Sequence, residues 1–485
     1  MSDIRTLEPK QLWNYFYELT RIPRPSKKEA KVIAYVEKFG KDLGLETIVD
    51  EVGNVIIRKP ATKGYEDRMG VILQGHLDMV PQKNSDKVHD FEKDPIEAYV
   101  DGEWVIAKGT TLGADNGIGV AAAMAILASS DIEHGPIEAL FTVDEETGMT
   151  GAFGLKPGLL KGDILINMDS EEDGEIFVGC AGGINVNVSK KYSEVAVPAN
   201  TVAYKVIAKG LKGGHSGVDI ALGRANSNKI MIRFLYQANK ELGVGISSMA
   251  GGDMRNAIPR EASGVVVVDR SKAASFEQLT AKYEKIYRGE FSQTEPDLVF
   301  TCEQCDMPKK VMEMSDQSAI VRSLFACPNG VQRMSQAMVG LVETSNNLAI
   351  VRISNGQFEA KNLTRSSVDS AKEAIVNKIS AVFELADASI EKSGSYPGWN
   401  PNMNSSILRT MKNVYKRLFG IEPKVSAIHA GLECGLLGGI YPNLDMISVG
   451  PTLKYPHSPD EKVNIETVKR FYRFVVETLK EIPVK

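Results

Sequence analysis

Residues 70–80 read GVILQGHLDMV, an apolar run that ends in His76 and Asp78. The design recurs in IEALFTVDEETG (137–148), which ends in Glu145 and Glu146, and in DILINMDS (163–170), which ends in Asp169. Short, wholly apolar runs bounded by polar turns are the pattern of strands buried on both faces. Between the first two lies TTLGADNGIG (110–119), where Asp115 opens an Ala-rich stretch that predicts a helix over 116–129. Strands alternating with helices predict an α/β fold, a three-layer domain around a mostly parallel mixed sheet. Ligands of such sheets bind beyond the carboxyl ends of the strands, where these acids and the histidine fall.

Outward from this stretch, KKEAKVIAYVEKFGKDLG (27–44) places Val32, Ile33, Val36 and Phe39 at helical spacing, with Gly44 as its stop. From Val186 the pattern changes to strand-like VAYKVIAKG, GVVVVD and LAIVRIS, separated by the helical stretches SNKIMIRFLYQANKEL and SSVDSAKEAIVNKISAVFELADA. Near Ser393 the α/β character returns and runs to the closing amphipathic stretch IETVKRFYRFVVETLKEI. The expected division is 1–185 and 393–485 as one catalytic domain, with 186–392 an inserted α+β lid domain. Within the insertion the strand and helix order occurs twice, around 205–290 and 325–386, while 292–314 carries no feature with an assignable role.

At 485 residues, 43% hydrophobic and 25% charged, the chain has the composition of a soluble globular protein with room for two or three domains. A net charge of -5 provides no basic footprint for nucleic acid. The start, MSDIRTLEPKQLW, lacks the basic and apolar segments of a signal peptide, and the apolar stretch 117–128 is too short to span a bilayer. The expectation is a cytoplasmic protein without a membrane partner. Five cysteines are too few for a disulfide scaffold, and Cys302 and Cys305 form a lone CxxC read as a reduced pair. Charge pairs such as Glu461 with Lys462, and Lys190 with Lys191, read as solvated surface.

The chemistry is carried by carboxylates and two imidazoles. His76 and Asp78 alternate with Leu77, so on extended chain they project to one side, and Asp78 can orient the His76 ring. Asp115 has two oxygens with which to bridge two ions. Glu145 and Glu146 are adjacent and point apart, so one can bind metal while the other serves as general base. Asp169 ends a buried run where a carboxylate needs a partner. His457 in YPHSPDE (455–461) supplies a second imidazole. This donor set suits two divalent ions, zinc first, with cobalt or manganese as substitutes. His89 and His134 read as loop residues. In the insertion, His215 in GLKGGHSG reads either as a turn residue or as a group that reaches over to stabilise an oxyanion; the same domain offers Asn256 in MRNAIPRE and Arg365 in NLTRSS, whose guanidinium can take a substrate carboxylate bidentately. The glycine-rich HAGLECG (429–435), with His429 and Gly431, permits close approach to a ligand.

Taken in order, HLDM, GADNG, DEETG, NMDS, GGHSG, RNAIP, HAGLECG and PHSPDE resemble the co-catalytic zinc metallopeptidases of the aminoacylase and carboxypeptidase G group, over essentially the whole chain. The resemblance implies one ion on His76, Asp115 and Asp169 and another on Asp115, Glu146 and His457. It further implies Asp78 orienting His76, a cis peptide after Asp115, and Glu145 as base for a water held between the ions. His215 would stabilise the transition state, and Asn256 and Arg365, with Gly431 nearby, would bind the substrate. The implied reaction is hydrolysis of dipeptides, Xaa-His dipeptides and β-alanyl-histidine among them. The alternative is deacylation of N-acyl amino acids or cleavage of tripeptides on the same core. A homodimer is the expected assembly by general base rates.

Overall fold

The computed structural model describes residues 3–485, which divide into two compact units. The first is Met1–Gly179, Pro401–Ala427 and Leu432–Lys485; the second is Cys180–Asn400 with Ile428–Gly431. Among the described residues, no helix is long and apolar enough to cross a membrane.

The first unit is built on an eight-stranded mixed sheet. Its centre is four parallel strands, Ile137–Thr142, Val71–His76, Ile164–Asn167 and Asp445–Ser448, and every residue of the first three is buried. This two-sided burial is why those stretches read as continuous apolar runs rather than alternating ones. Antiparallel strands Val55–Lys59 and Glu46–Val49 extend one side, and Glu175–Cys180 joins the other. The helix Ala114–Ala128 packs on Val71–His76 and on the helices Lys10–Arg21 and Ile465–Lys480. It is apolar all round and buried nearly throughout, as a helix enclosed by neighbours must be. Its first turn is irregular: Asp115 and Asn116 depart from helical dihedrals and are joined by a cis peptide.

The second unit is a nine-stranded antiparallel sheet with the helices Ser227–Leu242, Ala273–Glu290, Met314–Ala326 and Asp369–Glu384 packed into one core. Its order contains the same βαββαβ arrangement twice. In one copy, Thr201–Lys209 lies between Val299–Gln304 and Ala262–Asp269, with Gly245–Gly251 beyond. In the other, Gly182–Lys191 lies between Ser389–Tyr396 and Gln357–Ser366, with Val342–Ser354 beyond. The copies meet where Gly245–Gly251 pairs with Val342–Ser354. The repeat is therefore nested rather than sequential, since the second copy takes its first strand from residues before the first copy begins. For the same reason the unit starts before Val186 and ends after Lys392: Gly182–Lys191 and Ser389–Tyr396 are sheet partners. Residues 292–314 contribute Val299–Gln304 and Lys310–Met312, the latter pairing with Glu194–Ala196. The CxxC cysteines are both free, with Cys302 against the helix-side core and Cys305 against the small cluster of Ala203, Val267 and Val311.

Candidate metal centre

Three loops at the carboxyl ends of the parallel strands converge with the loop that carries His457. His76 Nε2 lies 3.1 Å from Asp115 Oδ1 and 3.4 Å from Asp169 Oδ1, while His457 Nε2 lies 3.2 Å from Asp115 Oδ2 and 2.9 Å from Glu146 Oε2. The two oxygens of Asp115 thus face two different imidazoles. His76 with Asp115 and Asp169, and Asp115 with Glu146 and His457, each gather ligand atoms closely enough to hold one ion. Glu145 groups with His76 and Glu146 but pairs directly with neither imidazole.

Local structure explains how each side chain is held. Asp144 and Met149 adopt left-handed backbone on either side of a one-turn helix, Glu145–Gly148, and Asp144 takes the hydroxyls of Thr147 and Thr150. Asp78 Oδ1 lies 3.3 Å from His76 Nδ1 and accepts Glu145 N at 3.0 Å; its Oδ2 accepts Ser26 Oγ at 2.8 Å and Glu146 N at 3.3 Å. One carboxylate thereby orients the ring and pins the Glu145–Glu146 turn. Although burial raises it, contact with His76 and these donors brings its pKa to about 2. His457, at φ 59°, is left-handed and its side chain is 51% exposed, whereas His76 is 1% exposed. The imidazoles enter the cluster from opposite extremes of solvation.

The acids are crowded and poorly compensated. Burial first, opposed by His76 and His457 and reinforced by neighbouring carboxylates, pushes Asp169 to about 7 and Glu171 to about 8, and raises Glu145 and Glu146. Asp115 is lowered, because the burial that opposes ionisation is outweighed by His457 and His76. Hydrogen bonds to Asp115 and Glu146 carry His457 to about 11. Asp169 Oδ1 and Glu146 Oε1 are buried without hydrogen-bond partners among the described residues. A set of hard oxygen donors and imidazole nitrogens with orphaned carboxylate oxygens fits a pair of divalent cations.

Sequence reading missed three buried polar groups here. Glu461, expected on the surface, is 2% exposed and accepts backbone amides of 112–115. Arg24 is equally buried and donates to the carbonyls of Leu77, Asp78 and Gly113. Glu433 accepts Gln74 Nε2 at 2.6 Å and Thr142 Oγ1 at 2.7 Å, joining strands that bear the site. Nothing in local spacing marks them, because each partner is distant along the chain. Lys462 lies over the Trp104 ring at 4.6 Å, and the Lys190 side chain is only 13% exposed, so neither is plain surface. His89 and His134 lie outside the ligand groups.

In the second unit, a two-residue pairing of Gly214–His215 with Ala257–Ile258 brings GGHSG beside RNAIP, and Ser216 N donates to Asn256 O at 2.8 Å. His215 Nδ1 accepts Gly217 N at 3.2 Å and Val218 N at 3.0 Å, which leaves its proton on Nε2. Burial, and then Arg365, lower its pKa. Arg365 is buried with its Nη1 3.2 Å from Tyr396 Oη, and among the described residues no acidic side chain pairs with it. His429 Nε2 lies 2.7 Å from Ser345 Oγ. Gly217 makes this packing possible: a Cβ there would come 2.1 Å from His429 O and 3.2 Å from Arg365 Nε. Asn256 is exposed, and Gly431 lies in the Ile428–Gly431 segment of this unit.

Comparison with known proteins gives the family and the fold. The chain is 46% identical over 485 residues to the cytosol non-specific dipeptidase of Escherichia coli (strain K12), covering 100% of both. It matches the crystal structure of aminoacylhistidine dipeptidase from Vibrio alginolyticus at 47% identity and a TM-score of 0.95, over 100% of this chain and 99% of that one. Aminopeptidase PepT from Bacillus cereus, at 18% identity and a TM-score of 0.58 over 98% of this chain and 99% of that one, shares the fold. Residues 72–481 match the model of peptidase family M20/M25/M40, so the chain belongs to that family and is a hydrolase acting on peptide bonds.

Proposed function

We propose that this chain is a dipeptidase working with two divalent cations, zinc by choice of donors, and that Xaa-His dipeptides are among its substrates. The observation that carries the reading is Asp115, whose oxygens face His76 and His457 separately at 3.1 and 3.2 Å. His76, Asp115 and Asp169 would hold one ion, and Asp115, Glu146 and His457 the other. When bound, the ions supply Lewis acidity, favouring deprotonation of an attacking water and polarising the scissile carbonyl.

Glu145 is the general base: it is held by its backbone on Asp78 and left unpaired by either imidazole, so a carboxylate oxygen is free to take the water's proton and pass it to the leaving amine. His215 offers Nε2–H to the developing oxyanion. Arg365, with no acidic partner of its own, takes the substrate's carboxylate bidentately, with Asn256 and Gly431 completing its recognition. The dipeptidase names of both full-length relatives support dipeptides over N-acyl amino acids and tripeptides. The first relative's name also supports a cytosolic location, and a homodimer belongs to the same proposal.

Glu145→Gln should lower kcat by roughly 10²–10⁴-fold while both ions stay bound. Steady-state kinetics with metal analysis checks this, and near-normal turnover would remove the base assignment. Substrate class is decided by comparing kcat/KM on Xaa-His dipeptides, other dipeptides, tripeptides and N-acetyl amino acids.

A further inference from the structure

Two buried charged residues lie just behind the cation ligands and belong to neither ligand group. Glu461 Oε2 accepts Leu112 N at 2.7 Å and Gly113 N at 3.0 Å, and its Oε1 accepts Ala114 N at 2.8 Å and Asp115 N at 3.2 Å. Four consecutive amides therefore close on one carboxylate in the irregular turn that precedes the regular part of the helix Ala114–Ala128. Arg24 Nη1 donates to Leu77 O and Asp78 O at 2.9 Å each, and Nη2 to Gly113 O at 2.5 Å. Both side chains are 2% exposed.

The peptide between Leu112 and Asp115 is thus gripped from both sides, its amides by Glu461 and a carbonyl by Arg24. Gly113 permits this at φ 71°: a Cβ there would stand 2.7 Å from Arg24 Nη2 and 2.9 Å from Met79 Sδ. The segments tied together are those that carry the ligands. Arg24 joins the His76–Asp78 segment to Gly113, and Glu461 joins the segment of Asp115 to the loop of His457, four residues before it in the sequence.

We infer that Glu461 and Arg24 are positioning residues, an ionic clamp that sets how the two oxygens of Asp115 face the two imidazoles and hence how tightly the cation pair is held. The inference rests on the di-cation reading above. In Glu461→Gln the single carbonyl oxygen can take about two of the four amides, and the new NH2 opposes the rest. Partners behind metal ligands typically alter affinity by about 10–100-fold when removed.

The test is zinc affinity of the metal-free protein, by competition with a chromogenic chelator, together with the absorption spectrum of the cobalt-loaded form. Glu461→Gln, and Arg24→Lys from the other side, are expected to keep the far-ultraviolet circular dichroism of the wild type. Each should bind zinc about tenfold or more weakly and shift the cobalt spectrum. Unchanged affinity and spectrum, with a lower melting temperature only, would make the pair merely structural and overturn the clamp. Loss of fold in both variants would do the same. Wild-type protein that fails to bind two ions would overturn the di-cation reading itself, so the two failures are distinguishable.

Discussion

Asp78 shows how much one side chain organises. It touches the His76 ring, the hydroxyl of Ser26 and the amides of Glu145 and Glu146. Replacing it with Asn removes the charge beside the ring and sets an NH2 against a donor, so Asp78→Asn is expected to weaken zinc binding by about 10–100-fold. Equilibrium dialysis of the metal-free protein measures it. His429 offers a test of opposite kind. Burial, then the charge of Arg365, with His215 adding to it and a carbonyl hydrogen bond at Val342 opposing, bring its pKa to about 3. A base with a folded pKa below its unfolded value is bound neutral, so its contribution is whole above the unfolded value of 6.5 and is lost as pH falls toward 3. The loss is on the order of 5 kcal/mol at most. Urea denaturation between those limits should show a smaller pH slope for His429→Gln than for the wild type.

At the scale of elements, the closing helix Ile465–Lys480 starts directly after the Glu461 loop. Its cap is Asn464, whose side chain accepts Thr467 N at 3.1 Å. Asn464→Ala should cost about 1 kcal/mol, read as a lower melting temperature. Because this helix packs on Ala114–Ala128, the same variant reports whether strain at the helix start reaches the site. The strand-to-turn junctions follow another logic. The apolar runs end where the strands end, so His76, Glu145 and Asp169 are marked in the sequence by the change from apolar to polar residues, although His76 itself stays buried.

For the whole molecule, the division into two units is a matter of separate cores. The second unit's core is made of its own residues, from Val186 to Phe383, and all strands of its antiparallel sheet lie between Gly182 and Tyr396. Residues 180–400 expressed alone are therefore expected to unfold cooperatively. The fragment should be less stable than the unit in the full chain, because it lacks Ile428–Gly431, whose Ile428 and Ala430 carbonyls accept Ala181 N at 3.1 and 3.0 Å. Thermal circular dichroism checks this; a non-cooperative melt would show that the unit depends on the rest of the chain.

The α/β class, the buried strands and the ligand residue types were legible in the linear chain, because burial periodicity and residue chemistry are local properties. The resemblance of ordered motifs extended that reading to family and reaction. Three things needed the fold. The nesting of the repeated βαββαβ units depends on which strands pair, and pairing is long-range. The neighbourhood of Glu461 depends on backbone amides of 112–115, more than three hundred residues away in sequence. The two-faced placement of Asp115 depends on three loops meeting, and only tertiary packing brings imidazoles from residues 76 and 457 to opposite sides of one carboxylate.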